Sequence, residues 1–429
     1  MDPTLLKSVL IEQMLAFQVQ EPTIAREASL ALEKHIGNPQ VLVVSGLRRS
    51  GKSVLLAQIW KKHYHDKAYF VTFEDERLLA FTAQDFNTLL ECCISLFGEY
   101  KTFFLDEIQN IEHWEAFVRR LQERGYKFFI TGSNAALLSG ELASRLTGRN
   151  IQFELYPFSF REFLQFQKLL SNEENNTARQ YSVRSSVEKA ILSAAFETYL
   201  TQGGIPLYLK YQDPLLLKQI YDDILYKDII LRHRIDDPKT LRELSFYLLS
   251  NVAHTLTYTS VKNQLKLGSL NTVKNYLHYF ESSYLFFFVS VYSSSVKQQQ
   301  MSPKKIYAID TGMVNLLSFK VSRNSGSLLE NLVYIELRRR GGDIFYYQCV
   351  ARQYEVDFLV RQGTSITALI QVCESLHHPA TRERELRSLW MAMDELQLNH
   401  SLVLTRDYEE IITDGGRTIE IRPVYEWLI

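Results

Sequence analysis

Short apolar runs alternate with amphipathic stretches over the first third of the chain. The runs have the length of buried strands, and the stretches repeat apolar residues every three or four positions, which is typical of helices. Strands that alternate with helices at this spacing predict an α/β fold with a parallel sheet and helices on both faces. The first predicted strand begins at Val41, the others span 67–74, 102–106, 127–132 and 151–155, and predicted helices span 5–17, 23–36, 83–97 and 114–125.

The second half of the chain orders its elements differently. Helices are predicted at 187–200, 214–234, 241–253, 260–267 and 271–281, followed by strands at 284–292 and 304–310 around a polar tract at 293–303. Helix, turn, helix and hairpin is the order of a winged helix. A helix at 328–340 then opens a small α/β pattern, with strands at 343–349, 355–361, 368–373, 401–405 and 418–421 and a helix at 381–395.

These changes of pattern predict three domains. The predicted domains are a P-loop domain at 1–165, a helical and winged-helix domain at 187–320, and a small α/β domain at 321–429. The stretch 167–186 is rich in Asn, Glu, Ser and Gln and has few apolar anchors, so it is the predicted linker.

The loop after the first strand reads GLRRSGKS and fits the pattern G-x-x-x-x-G-K-[ST]. Glycines in such a loop let backbone N–H groups approach phosphates, the lysine reaches the β- and γ-phosphates, and the final hydroxyl binds Mg²⁺. An ordinary glycine-containing turn is the alternative, but an apolar strand before the loop and an apolar helix after it favour nucleotide binding. The predicted ATP-binding residues are Gly46, Arg48, Arg49, Ser50, Gly51, Lys52, Ser53 and Val54.

Polar residues follow the next strands at the same predicted edge of the sheet. Asp106 is predicted to hold Mg²⁺ together with Ser53, and Glu107 to orient or deprotonate the attacking water. Asn134, or Ser133, follows the next strand and could position that water, although an Asx or Ser turn explains these residues equally well. Each of these assignments depends on parallel strands that bring their carboxyl ends together.

Two arginines beyond the fourth of these strands are candidates for a role in a neighbouring subunit. Arg145 and Arg149 could stabilise transition-state charge in that subunit's site. For either arginine alone, an ordinary surface position is the simpler interpretation.

The overall composition bears on whether the protein binds DNA or a membrane and on the compartment in which it is expected. The 429 residues include 48 basic and 49 acidic side chains, so a DNA-binding surface would have to be a local patch. The four cysteines show no metal-binding spacing, which favours a reducing, cytoplasmic compartment. No signal peptide is evident, and no apolar run is long enough to span a membrane, so no membrane partner is expected.

Several motifs in order resemble one family over roughly residues 20 to 405. The chain resembles AAA+-superfamily ATPases that carry an AAA_14 module followed by a DUF4143 region. The AAA_14 resemblance rests on GLRRSGKS, FFLDEIQNIEHWEAFVRRL, FFITGSNAALLSGELASRLTGR and FELYPFSFREFL, and the DUF4143 resemblance on TQGGIPLYL, YKDIILRHRI, TVKNYLHYFESSYLFF, KIYAIDTGM and LLENLVYIELRRRG.

This resemblance implies roles for the candidate residues. Asp106 and Glu107 would be the Walker B pair, Asn134 a sensor, and Arg145 or Arg149 a finger that acts in trans. Relatives in this superfamily commonly form rings, often hexameric, so a homo-oligomer is expected.

The predicted winged helix is the strongest nucleic-acid signal in the sequence. Residues 271–278 would form its recognition helix, which carries Lys274, while Lys297, Lys304 and Lys305 lie in or beside the presumed wing. Lysines there can contact DNA phosphates. Winged helices that bind protein instead are the alternative.

The last domain resembles a PD-(D/E)XK nuclease core. Glu330 lies on its first helix and Asp357 on a strand, but Gln371 and Cys373 stand where an active member has an acid and a lysine. Hydrolysis at such a site needs carboxylates for Mg²⁺ and a cation for the developing charge. We therefore expect this domain to bind or dock without cutting.

Three functions remain open at this stage. The first is an oligomeric ATPase that binds and remodels DNA, with branched or forked DNA as a candidate substrate, in the manner of a helicase or a branch-migration enzyme. The second is a signalling or scaffold ATPase whose nucleotide switches protein contacts. The third, an ATP-regulated nuclease, is disfavoured by Gln371 and Cys373.

Overall fold

The computed structural model describes residues 1–20, 24–135, 148–170, 185–319, 325–349 and 354–429. Contacts within the chain divide it into two compact units: Met1–Tyr156 with Ser282–Tyr284, and Pro157–Glu281 with Leu285–Ile429. Arg145 and most of the predicted linker lie outside the described residues.

The first unit alternates helices and strands as predicted. Its helices are α1 (Pro3–Gln18), α2 (Glu27–Glu33), α3 (Lys52–Ile59), α4 (Phe86–Phe97) and α5 (Trp114–Gln122), and its strands are β1 (Val41–Ser45), β2 (Tyr69–Thr72), β3 (Thr102–Asp106), β4 (Lys127–Gly132) and β5 (Asn150–Glu154). The strands form one sheet in the order β2-β3-β4-β1-β5. Every neighbouring pair is parallel, which confirms the α/β prediction.

Both faces of this sheet are buried, because successive residues of a strand point to opposite faces. Val41 and Val43 of β1 belong to one apolar core, and Leu42 and Val44 belong to the other. Full burial of side chains of this size stabilises the fold by roughly 1.5–3 kcal/mol each. Because both faces of the sheet are apolar, functional polar residues are expected at its edges. The carboxyl ends of β1, β3 and β4 lie together at one of these edges.

The second unit contains a helical region and two further sheets. Its helices are α6 (Phe160–Phe166), α7 (Ser186–Gln202), α8 (Pro206–Tyr211), α9 (Pro214–Asp223), α10 (Pro238–Ser250), α11 (Tyr258–Gln264), α12 (Leu270–Ser282), α13 (Val296–Met301), α14 (Thr311–Leu317), α15 (Ser325–Arg340), α16 (Pro379–Leu396) and α17 (Val424–Trp427). Its strands are β6 (Thr255–Leu256), β7 (Phe286–Val289), β8 (Lys304–Ala308), β9 (Asp343–Gln348), β10 (Glu355–Gln362), β11 (Ser365–Val372), β12 (His400–Thr405), β13 (Glu410–Asp414) and β14 (Arg417–Pro423).

One small sheet has the order β6-β8-β7, and the larger has the order β13-β14-β12-β11-β10-β9. The predicted pairing of the two strands around the polar tract is present, since β7 and β8 are antiparallel with Phe286 opposite Ala308. Among the described residues, no helix combines the length and apolar character needed to cross a bilayer.

Several local features of the second unit differ from the sequence prediction, among them α6, α8, α14, α17 and β6, which were not predicted. The polar tract 293–303 is not a simple loop, because it holds α13, whose first turn is capped by the Ser295 hydroxyl at the amide of Gln298. Strand β13 was not predicted, since its apolar residues are few and Ile411 is exposed. Edge strands with one open face carry a weak hydrophobic pattern.

Candidate nucleotide site

The loop between β1 and α3 depends on its glycines. A Cβ on Gly46 would lie 2.2 Å from the carbonyl oxygen of Leu155, so no larger residue fits there. Gly51 caps α3 with a φ of 97°, in the left-handed region that glycine adopts without strain. The sequence therefore folds locally into a tight turn whose backbone amides lead into the start of a helix.

Lys52 points back over this loop instead of into solvent. Its side chain is buried, and its ammonium donates to the carbonyls of Gly46 and Leu47 at 3.2 Å each. The same ammonium lies 3.3 Å from Oε1 of Glu107. The predicted cation and the predicted catalytic carboxylate therefore share one pocket of the first unit.

Asp106 is the meeting point of three elements. The Ser53 hydroxyl, from the first turn of α3, lies 3.0 and 3.1 Å from its two carboxylate oxygens. The Thr131 hydroxyl, from the end of β4, donates to it at 2.5 Å. Burial, followed by the nearby charge of Glu107, raises the pKa of Asp106 to about 6. The site thus holds a hydroxyl and a carboxylate side by side, which is a donor pair suited to Mg²⁺.

Glu107 adopts a left-handed backbone conformation with a φ of 52°. Its Oε2 accepts from the Gln109 side-chain amide at 2.5 Å and from the Ser133 backbone amide at 3.2 Å. Burial alone would raise the pKa of Glu107, but the Lys52 ammonium and the Gln109 amide outweigh it and hold this pKa below its ordinary value. The carboxylate is therefore kept charged and oriented, as a general base must be.

The other predicted nucleotide residues surround the same loop. Arg48 pairs with Glu74 at 2.6 Å, Arg49 is exposed with a φ of 65°, Ser50 is fully buried and Val54 is half-buried. Asn134 is buried directly after Ser133 at the end of β4. The structure thus brings the predicted P-loop, Walker B and sensor residues to one edge of the sheet.

Arg149 lies elsewhere. It directly precedes β5, and β1 and β5 run parallel with Val41 opposite Asn150, so Arg149 is at the amino edge of the sheet and not at the P-loop edge. Its guanidinium pairs with Glu123 at 2.6 Å. Arg149 therefore cannot serve the nucleotide site of its own chain, and only a role in a neighbouring copy stays open to it.

Family models cover most of the chain. An AAA domain model (AAA_14) matches residues 38–164, a domain of unknown function (DUF8612) matches 193–324, and a second one (DUF4143) matches 325–424. The uncharacterized protein MJ1544 of Methanocaldococcus jannaschii is 35% identical to this chain, over 98% of this chain and 95% of the relative. The chain belongs to the AAA_14 and DUF4143 family of AAA+ ATPases.

Other relatives of this AAA+ ATPase are also uncharacterized. One from Haemophilus influenzae is 29% identical, over 91% of this chain and 94% of that protein. Among solved structures, the Aeropyrum pernix ORC1 protein in complex with DNA has a TM-score of 0.30 at 12% identity, covering 70% of this chain and 95% of that chain. AMPPCP-bound DnaA from Aquifex aeolicus has a TM-score of 0.26 at 15% identity, covering 59% and 86%. Both TM-scores are low.

The family models also refine one part of the sequence resemblance. The motifs TQGGIPLYL through KIYAIDTGM were assigned to the DUF4143 half, but residues 193–324 match a separate model, DUF8612. The DUF4143 model begins only at residue 325, the first residue of α15.

Several residues of this AAA+ ATPase that the sequence did not single out support the site. The Arg26 guanidinium is buried and donates to the carbonyls of Ser50 and Tyr156 at 2.7 Å each, which ties the P-loop to the end of β5. No local pattern marks Arg26, because its partners are remote in sequence. Thr131 lies within the predicted strand 127–132 and could have been found from strand alternation, whereas Gln109 lies in the turn after β3, where no alternation marks it.

A second unpredicted contact comes from far along the chain. The Tyr284 hydroxyl and the Ser45 hydroxyl form a 2.7 Å hydrogen bond one residue before Gly46, and the Ala135 amide donates to the Ser282 carbonyl at 2.8 Å. Tyr284 is buried and has a φ of 62°. All four residues belong to the first unit, so this unit is completed by the short segment Ser282–Tyr284, which begins at the last residue of α12.

The four lysines predicted to bind DNA have different surroundings. Lys274 on α12 and Lys297 on α13 are exposed, whereas Lys304 is half-buried with its ammonium 2.9 Å from the Ser290 hydroxyl. The prediction for Lys305 is wrong. Its side chain is 3% exposed and its ammonium is surrounded by carboxylates, so it cannot contact a DNA phosphate at the surface.

Protonation of Asp106 should make Mg²⁺-dependent nucleotide binding sensitive to pH. Because the pKa of Asp106 is raised to about 6, its carboxylate gains a proton as pH falls through that value and becomes a poor cation ligand. We expect ATP affinity at subsaturating Mg²⁺ to fall between pH 7 and pH 5, as measured by calorimetry. Affinity measured in EDTA is the control and should change less. An equal pH dependence in Asp106→Asn would show that another group is responsible.

Proposed function

We propose that this ATPase hydrolyses ATP with Mg²⁺ and, as an oligomer, uses that reaction to bind and remodel DNA. The observation that carries the hydrolytic part is the convergence of two pairs at one sheet edge: Lys52 lies 3.3 Å from Glu107, and Ser53 lies 3.0 and 3.1 Å from the oxygens of Asp106. Each group has a separate task in phosphoryl transfer, and the family membership supports the reaction class.

The side chains fit ATP and Mg²⁺ by type and position. Lys52 would neutralise phosphate charge, and the Ser53 hydroxyl with the Asp106 carboxylate would hold the metal ion, which supplies charge neutralisation when bound. Glu107 would accept the proton of the attacking water, with Gln109 fixing its carboxylate. Asn134, which is buried beside Ser133, would help position that water.

The DNA part of the proposal is supported by the outer face of α12. Asn271, Lys274, Asn275 and His278 are exposed at positions i, i+3, i+4 and i+7, while Val273, Tyr276, Leu277 and Phe280 are buried. One side of the helix is therefore packed and the other is a polar strip with amide and cationic groups. Donors and acceptors in this pattern can reach base edges and phosphates from a helix in a major groove.

The elements around α12 occur in the order expected for a winged helix. α10, β6, α11, α12, β7 and β8 follow one another, and the three strands pair as β6-β8-β7. Lys297 on α13 lies in the connection between β7 and β8, where a wing would contact the DNA backbone. This arrangement favours DNA as the partner over a protein.

Replacing the two exposed lysines should weaken DNA binding without affecting basal ATP hydrolysis. Lys274→Glu and Lys297→Glu each remove one candidate phosphate contact, so each should lower the slope of log affinity against log salt by about 0.9 on duplex DNA. Fluorescence anisotropy over a salt series measures this. Lys239→Glu is the matched control, since Lys239 is highly exposed on α10 of the same unit.

The outcome separates the two leading functions. Stimulation of ATP hydrolysis by duplex, single-stranded or four-way DNA, lost in Lys274→Glu but kept in Lys239→Glu, supports the proposal. A rate that is indifferent to every DNA, with an unchanged salt slope in both lysine variants, would favour the protein-directed switch.

A further inference from the structure

A buried charge cluster in the second unit has no part in the nucleotide site. At its centre is Lys305 of β8, whose ammonium lies 2.8 Å from Asp357, 2.9 Å from Glu355 and 3.1 Å from Glu330. Glu355 and Asp357 come from β10, and Glu330 comes from α15. Three carboxylates from two elements therefore surround one ammonium supplied by a third.

The Lys305 ammonium donates hydrogen bonds to Glu330 and Asp357 and forms an ion pair with Glu355. An ammonium has three N–H groups, and each of the three carboxylates offers one oxygen within hydrogen-bonding distance. The carboxylates are held from behind as well. The Tyr307 hydroxyl lies 2.6 Å from Glu330, and the Val372 amide donates to Asp357 at 2.9 Å. Glu330, Glu355 and Asp357 thus form a cage of carboxylates around one cation.

Charge explains why the ammonium stays there. Burial alone would lower the pKa of Lys305, but the three carboxylates outweigh it and raise that pKa. Burial, and then the charge of Asp357, raises the pKa of Glu330 to about 7. Without Lys305, two or three acids would face one another in a largely buried space, which is costly unless another cation enters.

Gln371, a neutral residue near the cluster, adds no charge to it. The Gln371 side chain accepts from the Asp357 amide at 3.2 Å and donates to Glu385 at 2.7 Å, so it connects strand and helix without joining the cage. A carboxylate at 371 would bring a further negative charge to the Asp357 side of the cluster. The cage therefore holds three acids and one cation, and a fourth acid at 371 would add to this excess of negative charge.

We propose that the Lys305 ammonium is the resident cation of the Glu330, Glu355 and Asp357 cage and keeps this cage closed to divalent metal ions. Hard divalent cations bind clusters of carboxylate oxygens, and here the chain's own ammonium takes that position. It also fastens β8 to α15 and β10. This proposal is independent of ATP hydrolysis, because none of these residues belongs to the first unit.

The test is Lys305→Met, which keeps most of the side-chain length and removes the charge. We expect its melting temperature in EDTA to lie several degrees below that of the full-length wild type. Mn²⁺ should raise it saturably, and Mn²⁺ affinity measured by electron paramagnetic resonance without nucleotide should be at least tenfold above that of the wild type. Lys305→Met with Asp357→Asn should lose this gain, and Lys304→Met is the matched control on the adjacent residue.

Three results would contradict the proposal, and one further result would support it. Mn²⁺ binding by the wild type that disappears in Asp357→Asn would overturn it, as would DNA cleavage in Mn²⁺ that disappears in Asp357→Ala. A Lys305→Met protein that is stable and indifferent to Mn²⁺ would also overturn it. Should Lys305→Met fold only when Mn²⁺ is present, the proposal is supported, and Lys305→Arg, which keeps a cation in the cage, should remain indifferent to Mn²⁺.

Discussion

Glu107→Gln is expected to bind ATP with near wild-type affinity and to hydrolyse it at least about a hundredfold more slowly. The amide has nearly the same shape as the carboxylate, so its contacts with Gln109 and Ser133 at 2.5 and 3.2 Å can largely be kept by rotation of the group. It cannot accept a proton from water, however. Phosphate release measured under single-turnover conditions, together with equilibrium binding of ATP, separates the two effects.

The control for this variant is a glutamate of the same unit that faces solvent. Glu91 is exposed on α4, and Glu91→Gln should hydrolyse ATP at the wild-type rate. Wild-type turnover in Glu107→Gln would instead show that another group activates the water. A loss of binding along with turnover would show that Glu107 mainly maintains the position of Lys52.

A variant that lacks both candidate finger arginines, Arg145→Ala with Arg149→Ala, is expected to lose roughly 10³-fold in turnover while still binding ATP. Arg149 lies at the sheet edge opposite its own P-loop, so its effect would be exerted on a neighbouring copy. The Arg149 and Glu123 ion pair is exposed, so its loss should cost little stability. The loss of activity should therefore not reflect unfolding.

Mixing two inactive variants tests most directly whether the arginines act on the nucleotide of a neighbouring copy. The double arginine variant and Lys52→Ala are each expected to be inactive alone, but together they should regain activity at interfaces that pair an intact P-loop with intact arginines. The specific activity of the wild type, which is the rate per protein molecule, should also rise with protein concentration as copies assemble. A monomer with ATP whose specific activity is independent of concentration would contradict the oligomeric part of the proposal.

The convergence of the candidate nucleotide residues at one sheet edge could be predicted from the sequence because each part is local. The P-loop is one continuous octapeptide, and Asp106 and Glu107 end a strand whose apolar run is visible without a structure. Parallel pairing then brings these ends together, as the register of Ser45 with Gly132 and of Thr72 with Asp106 shows. A motif whose parts all follow strands of one parallel sheet is well predicted.

The environments of Lys304 and Lys305 were not predictable in the same way. These neighbours on β8 point to opposite faces of a strand, so one is half-buried beside Ser290 and the other is enclosed by acids. The choice between the faces depends on Glu330 and Asp357, which follow 25 and 52 residues later. Composition made both lysines look like surface cations, and only the tertiary pairing distinguished them.

The hydrogen bond between Tyr284 and Ser45 has a practical meaning for dissecting this protein. Because Ser282–Tyr284 counts with the first unit, no single uninterrupted stretch of the gene encodes that unit in full. A fragment truncated after Tyr156 would lack the partner of the Ser45 hydroxyl just before the P-loop and the carbonyl that the Ala135 amide binds. Kinetics measured on such a fragment would describe a damaged loop, and full-length protein with point variants is the sound starting material.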